Sequence, residues 1–285
     1  MTIKNYRTQF SAELSSTYPK TEIDSFFFIL INEYFNLNRI DVTLNPGFKI
    51  NNDQFSVLNI ALNRLKNEEP IQYIIGNTEF YGFPFLVNEN TLIPRPETEE
   101  LVEWILDEIV KFKSDIPLNI LDIGTGSGCI PISLAKNLSN VKVSAIDVSL
   151  EALKVANQNA TLNDVAIEFI ELNILETKSL PENFDIIISN PPYVRELEKA
   201  EIQNNVLQNE PHLALFVSNE NPLIFYNKIA DLAQQHLTKN GLLFFEINQY
   251  LGNETEQLLA EKGFKNIELR KDLFGNERMI KATIT

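Results

Sequence analysis

Three of the chain's 10 glycines fall within five residues, Gly124-Thr125-Gly126-Ser127-Gly128. They directly follow the apolar run Ile120-Leu121-Asp122-Ile123 and precede Pro131-Ile132-Ser133-Leu134-Ala135-Lys136, which reads as a helix. Glycine lets a backbone turn sharply and approach a ligand with no Cβ in the way. The helix that follows offers free N–H groups at its start. This predicts a strand–loop–helix unit that holds a small molecule, with a ligand-free turn as the bland alternative.

The chain around this loop alternates strand and helix. Apolar β-type runs occur at 118–123, 141–146, 166–170, 184–189, 242–247 and 267–269, with helical stretches between most of them, such as 150–162 and 223–237. Short buried runs separated by helices imply an α/β fold with a doubly wound parallel sheet. A final candidate strand, 278–283, follows the Phe274-Gly275-Asn276 turn and is expected to add an antiparallel edge.

The first part of the chain reads differently. Residues 5–75 show no strand alternation. Ile23, Phe26, Phe27, Phe28, Ile29, Leu30, Ile31, Tyr34 and Phe35 cover nearly every face of a helix, as in the centre of a small bundle. Phe55, Leu58, Leu62 and Leu65 make one apolar stripe near the 3.6 period. Pro46-Gly47 and Asn51-Asn52-Asp53 break the chain between these helices. Phe80-Tyr81-Gly82-Phe83-Pro84-Phe85 then reads as a hairpin, and Pro94-Arg95-Pro96-Glu97-Thr98-Glu99-Glu100 opens a helix with acids in its first turn. The expected organisation is a helical bundle over 1–75, a β-hairpin linker over 76–93 and a Rossmann-like domain over 94–285.

Charge separates the same parts. The chain has 24 basic and 39 acidic residues, net −15. Residues 1–75 carry 7 basic and 8 acidic side chains, net −1, whereas residues 76–285 carry 17 and 31, net −14. Such an acidic surface repels a phosphate backbone, so direct nucleic-acid binding is not expected. No apolar run approaches the roughly 20 residues that span a bilayer, and the start Met1-Thr2-Ile3-Lys4-Asn5 lacks a secretion-signal layout. One cysteine, Cys129, excludes an internal disulfide, and a cytoplasmic setting is expected. With two histidines, His212 and His236, neither a zinc enzyme nor a Ser-His hydrolase is expected, and no metal is assigned. His236 reads as a helix C-terminal cap.

Dinucleotide-binding loops place glycine at relative positions 1, 3 and 6; here they fall at 1, 3 and 5. The pattern Asp-x-Gly-x-Gly-x-Gly, starting at Asp122, instead resembles the first motif of class I S-adenosylmethionine-dependent methyltransferases. A nucleoside ligand also calls for an acid on its ribose, about 20 residues onward at the end of the second strand. Asp147 lies 19 residues after Gly128. Its alternative role is to cap the helix starting near Leu150; beside the loop, the ligand role is favoured. The third strand ends at Glu171-Leu172-Asn173-Ile174, where such enzymes contact adenine. Related enzymes commonly carry Asp where this chain has Asn173.

The fourth strand runs into Asn190-Pro191-Pro192-Tyr193. The two prolines lock φ and remove two donors, leaving a stiff turn. In a doubly wound sheet the first and fourth strands flank the switch point, so Gly124 and Asn190 should meet although 66 positions separate them. The chemistry fits methylation of a planar amino nitrogen. The Asn190 side-chain oxygen and the Pro191 carbonyl can each accept from one NH₂, which orients it and favours the developing positive charge. Tyr193 can stack on the flat group.

Asn-Pro-Pro-Tyr is shared by adenine-N6 DNA methyltransferases and protein glutamine-N5 methyltransferases. Three further stretches decide: Glu69-Pro70-Ile71-Gln72-Tyr73-Ile74-Ile75-Gly76, Glu79-Phe80-Tyr81-Gly82 and Leu92-Ile93-Pro94-Arg95-Pro96-Glu97-Thr98-Glu99. They resemble the HemK-type family, whose members methylate the glutamine of the Gly-Gly-Gln motif in class 1 peptide chain release factors. The resemblance continues through Glu210-Pro211, Ala214-Leu215 and Phe225-Tyr226 to the 272–278 tail. It implies S-adenosylmethionine as cofactor, held by Gly124, Thr125, Gly126, Ser127, Gly128, Asp147, Asn173, Ile174 and Asn190. It implies that Asn190, Pro191, Pro192 and Tyr193 hold the glutamine, with Asn190, Pro191 and Tyr193 carrying the catalysis, and that Arg95, Pro96 and Thr98 border the cleft. Where the family often has Asp-Gly-Gly after Leu215, this chain has Phe216-Val217-Ser218. An adenine-N6 enzyme would need a basic groove, against the −14 of residues 76–285. A cofactor-binding module without catalysis would have no need of the paired acceptors. The near-neutral bundle is the expected docking surface for the release factor.

Overall fold

The computed structural model describes residues 1–111 and 117–284. Two units separate: Met1–Gly76 with Gln203–Asn209, and Asn77–Ile202 with Glu210–Thr285. In the first, α1 (Ile3–Leu14), α2 (Lys20–Phe35), α3 (Arg39–Leu44), α4 (Asn52–Lys66) and α5 (Ile71–Ile75) surround a core that includes Tyr6, Phe10, Phe27, Leu30 and Leu62. Asn51 starts α4 with a reciprocal cap, its side chain accepting from the Gln54 N–H while the Gln54 side chain accepts from its own. The expectation that α2 is buried all round is corrected. Ile23, Phe26, Phe27, Leu30 and Ile31 face inward, but Ile29 is 37% exposed. Phe28 lies under the Arg7 and Arg39 guanidiniums, 4.8 and 5.1 Å from its ring. Cations cover the outer aromatic, so the helix does not have to be central.

The second unit opens with a hairpin, β1 (Asn77–Phe80) and β2 (Phe83–Leu86), turning at Tyr81-Gly82 with φ of 51° and 75°. Two positive φ values are what a two-residue turn needs to match strand twist. There follow α6 (Pro96–Ile109), β3 (Leu118–Ile123), α7 (Cys129–Asn137), β4 (Val141–Asp147), α8 (Leu150–Leu162), β5 (Glu168–Glu171), β6 (Phe184–Ser189) and β7 (Val194–Arg195). After α9 (Asn204–Asn209), which belongs to the first unit, come β8 (Phe216–Val217), α10 (Ile224–His236), β9 (Leu237–Glu246), α11 (Gly252–Glu261), β10 (Lys265–Lys271) and β11 (Glu277–Thr283).

Among the described residues the main sheet has the order β10-β11-β9-β6-β3-β4-β5. Strands β9, β6, β3, β4 and β5 are parallel, and β11 is antiparallel to both neighbours. The final strand is therefore antiparallel as expected, but the edge is β10. The four central residues of β11, Met279 to Ala282, are buried, and Lys281 is accommodated by Glu108 and Glu268, each 2.9 Å away.

Consecutive strand residues feed opposite faces, which is why the strands read as unbroken apolar runs. Ile120, Ile186, Ile188 and Phe244 pack with Trp104 and Ile132 on one face. Leu121, Ile187, Leu243 and Phe245 pack with Tyr226 and Ile229 on the other. The chain steps from β3 out to β5 on one side, then returns to β6 on the other side of β3. The loops after β3 and β6 thus leave adjacent carboxyl ends at the switch point. No helix among the described residues is long and apolar enough to cross a membrane.

Candidate active site

The glycine loop turns directly beside the end of β4. The N–H groups of Gly124 and Thr125 donate to the Ile146 carbonyl at 2.8 and 3.0 Å, and Gly126 N–H donates to Asp147 Oδ2 at 2.8 Å. Gly124 has φ +78°, and a Cβ there would lie 3.9 Å from the Asn190 carbonyl oxygen. Gly128, with φ +81°, serves packing instead. A Cβ on it would meet Ile132 at 3.0 Å and Ala156 at 3.2 Å, so its smallness lets α7 pack against α8. The ends of β3 and β6 are tied by the Ser189 hydroxyl, which donates to the Ile123 carbonyl at 2.6 Å.

Above these ends lies a cleft of about 260 Å³. Gly124, Thr125, Gly126, Ser127, Asp147, Asn173, Ile174, Asn190, Pro191 and Pro192 line it, together with Arg95 and Thr98. Gly128 stands behind its wall, and Pro96 is the first residue of α6. Tyr193 lines a smaller adjoining cavity of about 50 Å³, with Arg95, Asn190 and Glu246.

Asp147 is held by two backbone donors, Ser149 N–H on Oδ1 at 2.9 Å and Gly126 N–H on Oδ2. Burial raises its carboxyl, and these N–H groups oppose the rise. The side-chain cap of α8 is Ser149, whose Oγ accepts from Ala152 N–H at 3.2 Å. Each Asp147 oxygen keeps a second lone pair for a ligand hydroxyl. Asn173 Oδ1 accepts from Leu175 N–H at 3.1 Å, a turn that an amide closes without a charge.

Beneath the loop, Asp122 is 1% exposed, and neither carboxylate oxygen has a hydrogen-bond partner; the Thr125 and Ser127 hydroxyls are likewise unpartnered. Burial pushes the Asp122 carboxyl up to about 7; the Thr125 hydroxyl, close by but forming no hydrogen bond of good geometry, opposes the rise only in part. Unsatisfied buried acceptors beside a glycine cradle suit a ligand that carries cationic and hydroxyl groups. S-adenosylmethionine, with its ammonium, sulfonium and ribose, has that chemistry.

The Asn190-Pro191-Pro192-Tyr193 turn is braced by a residue that sequence reasoning missed, Glu246 at the end of β9. It is 1% exposed. Thr98 Oγ1 donates to its Oε2 at 2.6 Å, and the Tyr193 hydroxyl donates to its Oε1 at 3.0 Å. Asn190 Nδ2 in turn donates to Thr98 Oγ1 at 3.3 Å. Burial raises the Glu246 carboxyl, opposed by Thr98, the Arg278 charge and Tyr193. The signal available in the sequence was a lone acid closing an apolar strand. At the cleft border Arg95 pairs with the buried Glu210 at 2.5 Å. Phe216 and Val217, where the chain departs from Asp-Gly-Gly, form β8, paired in parallel with β7 just after the turn.

His236 corrects its expectation. It ends α10, but its ring serves the 179–182 segment: Nε2 accepts from Leu180 N–H at 3.1 Å, which leaves the Nδ1 proton for the Glu182 carbonyl at 3.1 Å.

Comparison with known proteins agrees with this architecture. The Methyltransferase small domain family matches residues 109–215, and the PrmC N-terminal domain family matches residues 6–76. The release factor glutamine methyltransferase of Flavobacterium psychrophilum is 59% identical, with 99% of each chain covered. That of Bacteroides thetaiotaomicron is 40% identical over 94% of this chain and 95% of its own. The solved hMettl16 catalytic domain superposes with a TM-score of 0.55 at 18% identity, covering 72% of this chain and 76% of that one, a likeness of fold. Identity of this extent along nearly the whole chain means that it belongs to the release factor glutamine methyltransferase family.

Proposed function

We propose that the cleft at the carboxyl edge of the sheet is where this S-adenosylmethionine-dependent protein-glutamine methyltransferase works. It methylates the side-chain amide nitrogen of the glutamine in the Gly-Gly-Gln motif of class 1 peptide chain release factors. The observation that carries this reading is that a Cβ on Gly124 would lie 3.9 Å from the Asn190 carbonyl oxygen, so that a nucleoside-type loop stands beside an amide-type acceptor pair.

Gly124, Thr125, Gly126 and Ser127 form the cradle for the cofactor, and Gly128 supports it by letting α7 pack against α8. Asp147 accepts from the ribose hydroxyls, and Asn173 and Ile174 border the adenine. Bound there, the cofactor supplies an electrophilic methyl group on a sulfonium.

An amide nitrogen is a poor nucleophile because its lone pair is delocalised. Asn190 Oδ1 and the Pro191 carbonyl each accept one N–H of the substrate NH₂, aiming the nitrogen and favouring positive charge on it. Pro191 and Pro192 contribute no N–H that could compete for these acceptors. Tyr193, anchored through its hydroxyl, offers a flat face to the glutamine amide. No base acts before transfer, since the nitrogen becomes acidic only once methylated. The near-neutral N-terminal unit docks the release factor, a substrate that sets the enzyme in the cytoplasm, and the acidic remainder discourages nucleic acid.

A radiolabelled methyl-transfer assay that offers release factor and adenine-containing DNA together tests the reading. Label is expected on the release factor and lost when its Gly-Gly-Gln glutamine is changed to alanine. Label on DNA alone overturns it.

A further inference from the structure

We infer that Glu246 is a positioning residue that sets which way the Asn190 amide faces, acting through the single hydrogen of the Thr98 hydroxyl. This rests on the reading of Asn190 as the substrate's acceptor.

The three residues come from three elements: Glu246 ends β9, Thr98 sits in the first turn of α6, and Asn190 follows β6. Thr98 is 3% exposed and Glu246 1%. The Thr98 hydroxyl donates to Glu246 Oε2 at 2.6 Å and the Tyr193 hydroxyl to Oε1, so Glu246 meets both as an acceptor, the role of a carboxylate, which has no hydrogen to give back. A threonine hydroxyl has one hydrogen. Once that is committed, its oxygen can only accept from Asn190. The group that Asn190 turns to Thr98, at 3.3 Å, is accordingly its NH₂. The acceptor Oδ1 is left for the cleft.

Reversing that amide would aim a donor at the substrate's own NH₂. The two ends of an Asn side chain have almost the same shape, so packing alone cannot choose between them. The direction of the hydroxyl chooses, and Glu246 sets that direction. Its second oxygen accepts from Tyr193 at 3.0 Å, so one buried carboxylate holds both ends of Asn190-Pro191-Pro192-Tyr193.

Glu246→Gln keeps the shape but supplies an NH₂ that can donate to Thr98. That frees the hydroxyl hydrogen for Asn190 and lets the amide flip. Thr98→Val removes the relay, and Thr98→Ser keeps it. The test measures methyl transfer to release factor for these variants beside Asn190→Ala, with S-adenosylmethionine affinity by calorimetry and folding by thermal melting.

Glu246→Gln and Thr98→Val are expected to lower kcat about tenfold or more. The KM for release factor and the cofactor Kd should stay within about threefold, and Thr98→Ser should recover most of the lost kcat. Wild-type kcat in both Glu246→Gln and Thr98→Val, with Asn190→Ala inactive, overturns the inference alone. So does a Thr98→Ser variant no better than Thr98→Val. An Asn190→Ala enzyme that turns over normally overturns the role of Asn190 itself. If Glu246→Gln does not fold, the Thr98 pair, which leaves Glu246 in place, decides.

Discussion

Gly124 and Asn190 are 66 positions apart in the chain, yet a Cβ on Gly124 would lie 3.9 Å from the Asn190 carbonyl oxygen. Their strands are parallel neighbours whose last paired residues are Ile123 and Ser189, so both loops begin at the same level of the sheet. The glycine loop and the Asn190-Pro191-Pro192-Tyr193 turn are built as one edge.

Gly124→Ala is therefore expected to act through backbone conformation rather than collision, since 3.9 Å is ordinary contact but φ is +78°. A left-handed alanine costs about 1–2 kcal/mol. Relief of that strain would disturb the Gly124 and Thr125 N–H bonds to the Ile146 carbonyl and shift the loop that lines the cleft. Calorimetry should show weaker S-adenosylmethionine binding with a slightly lower melting temperature; an unchanged Kd would remove the loop from cofactor binding.

On the proposed reading, Asn190→Ala removes one of the two acceptors for the substrate amide. By analogy with loss of a single transition-state hydrogen-bond partner, kcat should fall about 10²–10³-fold. Cofactor affinity should remain measurable, because the cradle and Asp147 are untouched. Near-normal turnover would contradict the assignment.

Asp122 makes stability fall as pH rises. Its folded carboxyl is pushed up to about 7, against an ordinary value of 3.8. Between those two values the folded state holds a proton that the unfolded state has released, so raising pH through this window costs stability, and the loss is complete above it. Asp122→Asn should flatten the profile and be more stable than wild type at pH 8. Urea unfolding of the ligand-free protein at pH 5 and pH 8 reads this directly.

Asn159 is fully buried and makes three bonds across elements. Its Oδ1 accepts from Leu86 N–H at 2.6 Å, and its Nδ2 donates to the Leu86 and Ser127 carbonyls, each at 2.9 Å. One side chain thus fastens the hairpin and the glycine loop to α8. Asn159→Ala leaves buried groups unsatisfied at about 1–3 kcal/mol each. The melting temperature should drop by several degrees, with weaker cofactor binding because Ser127 loses its support.

For docking, Ile40 and Leu44 on α3 are 67% and 73% exposed in the near-neutral unit. Replacing both with Asp should raise the KM for release factor several-fold and leave kcat and cofactor affinity unchanged. Wild-type KM would move docking away from this helix.

Much of the site was legible because its signals are local. Gly124 and Asn190 each follow, and Asp147 ends, a strand whose apolar run is visible in the sequence, and the adjacency of the first and fourth strands follows from alternation and the switch-point rule. Glu246 was missed because its partners, Thr98 and Tyr193, lie 148 and 53 positions away. Alone it reads as one acid closing an apolar strand. His236 was misread for a similar reason: the helix end is local, but the Leu180 N–H that its ring binds is 56 positions distant.

The sequence by itself determined the family, the alternation of strand and helix, and the residue types available for chemistry, because periodicity and turn chemistry act over a few residues. Only the tertiary structure decided that β11 lies inside the sheet, that Gly128 serves helix packing, and which way the Asn190 amide points. Those outcomes depend on burial and hydrogen-bond direction between distant segments. A hydroxyl has a donor side and an acceptor side only once its neighbours are in place.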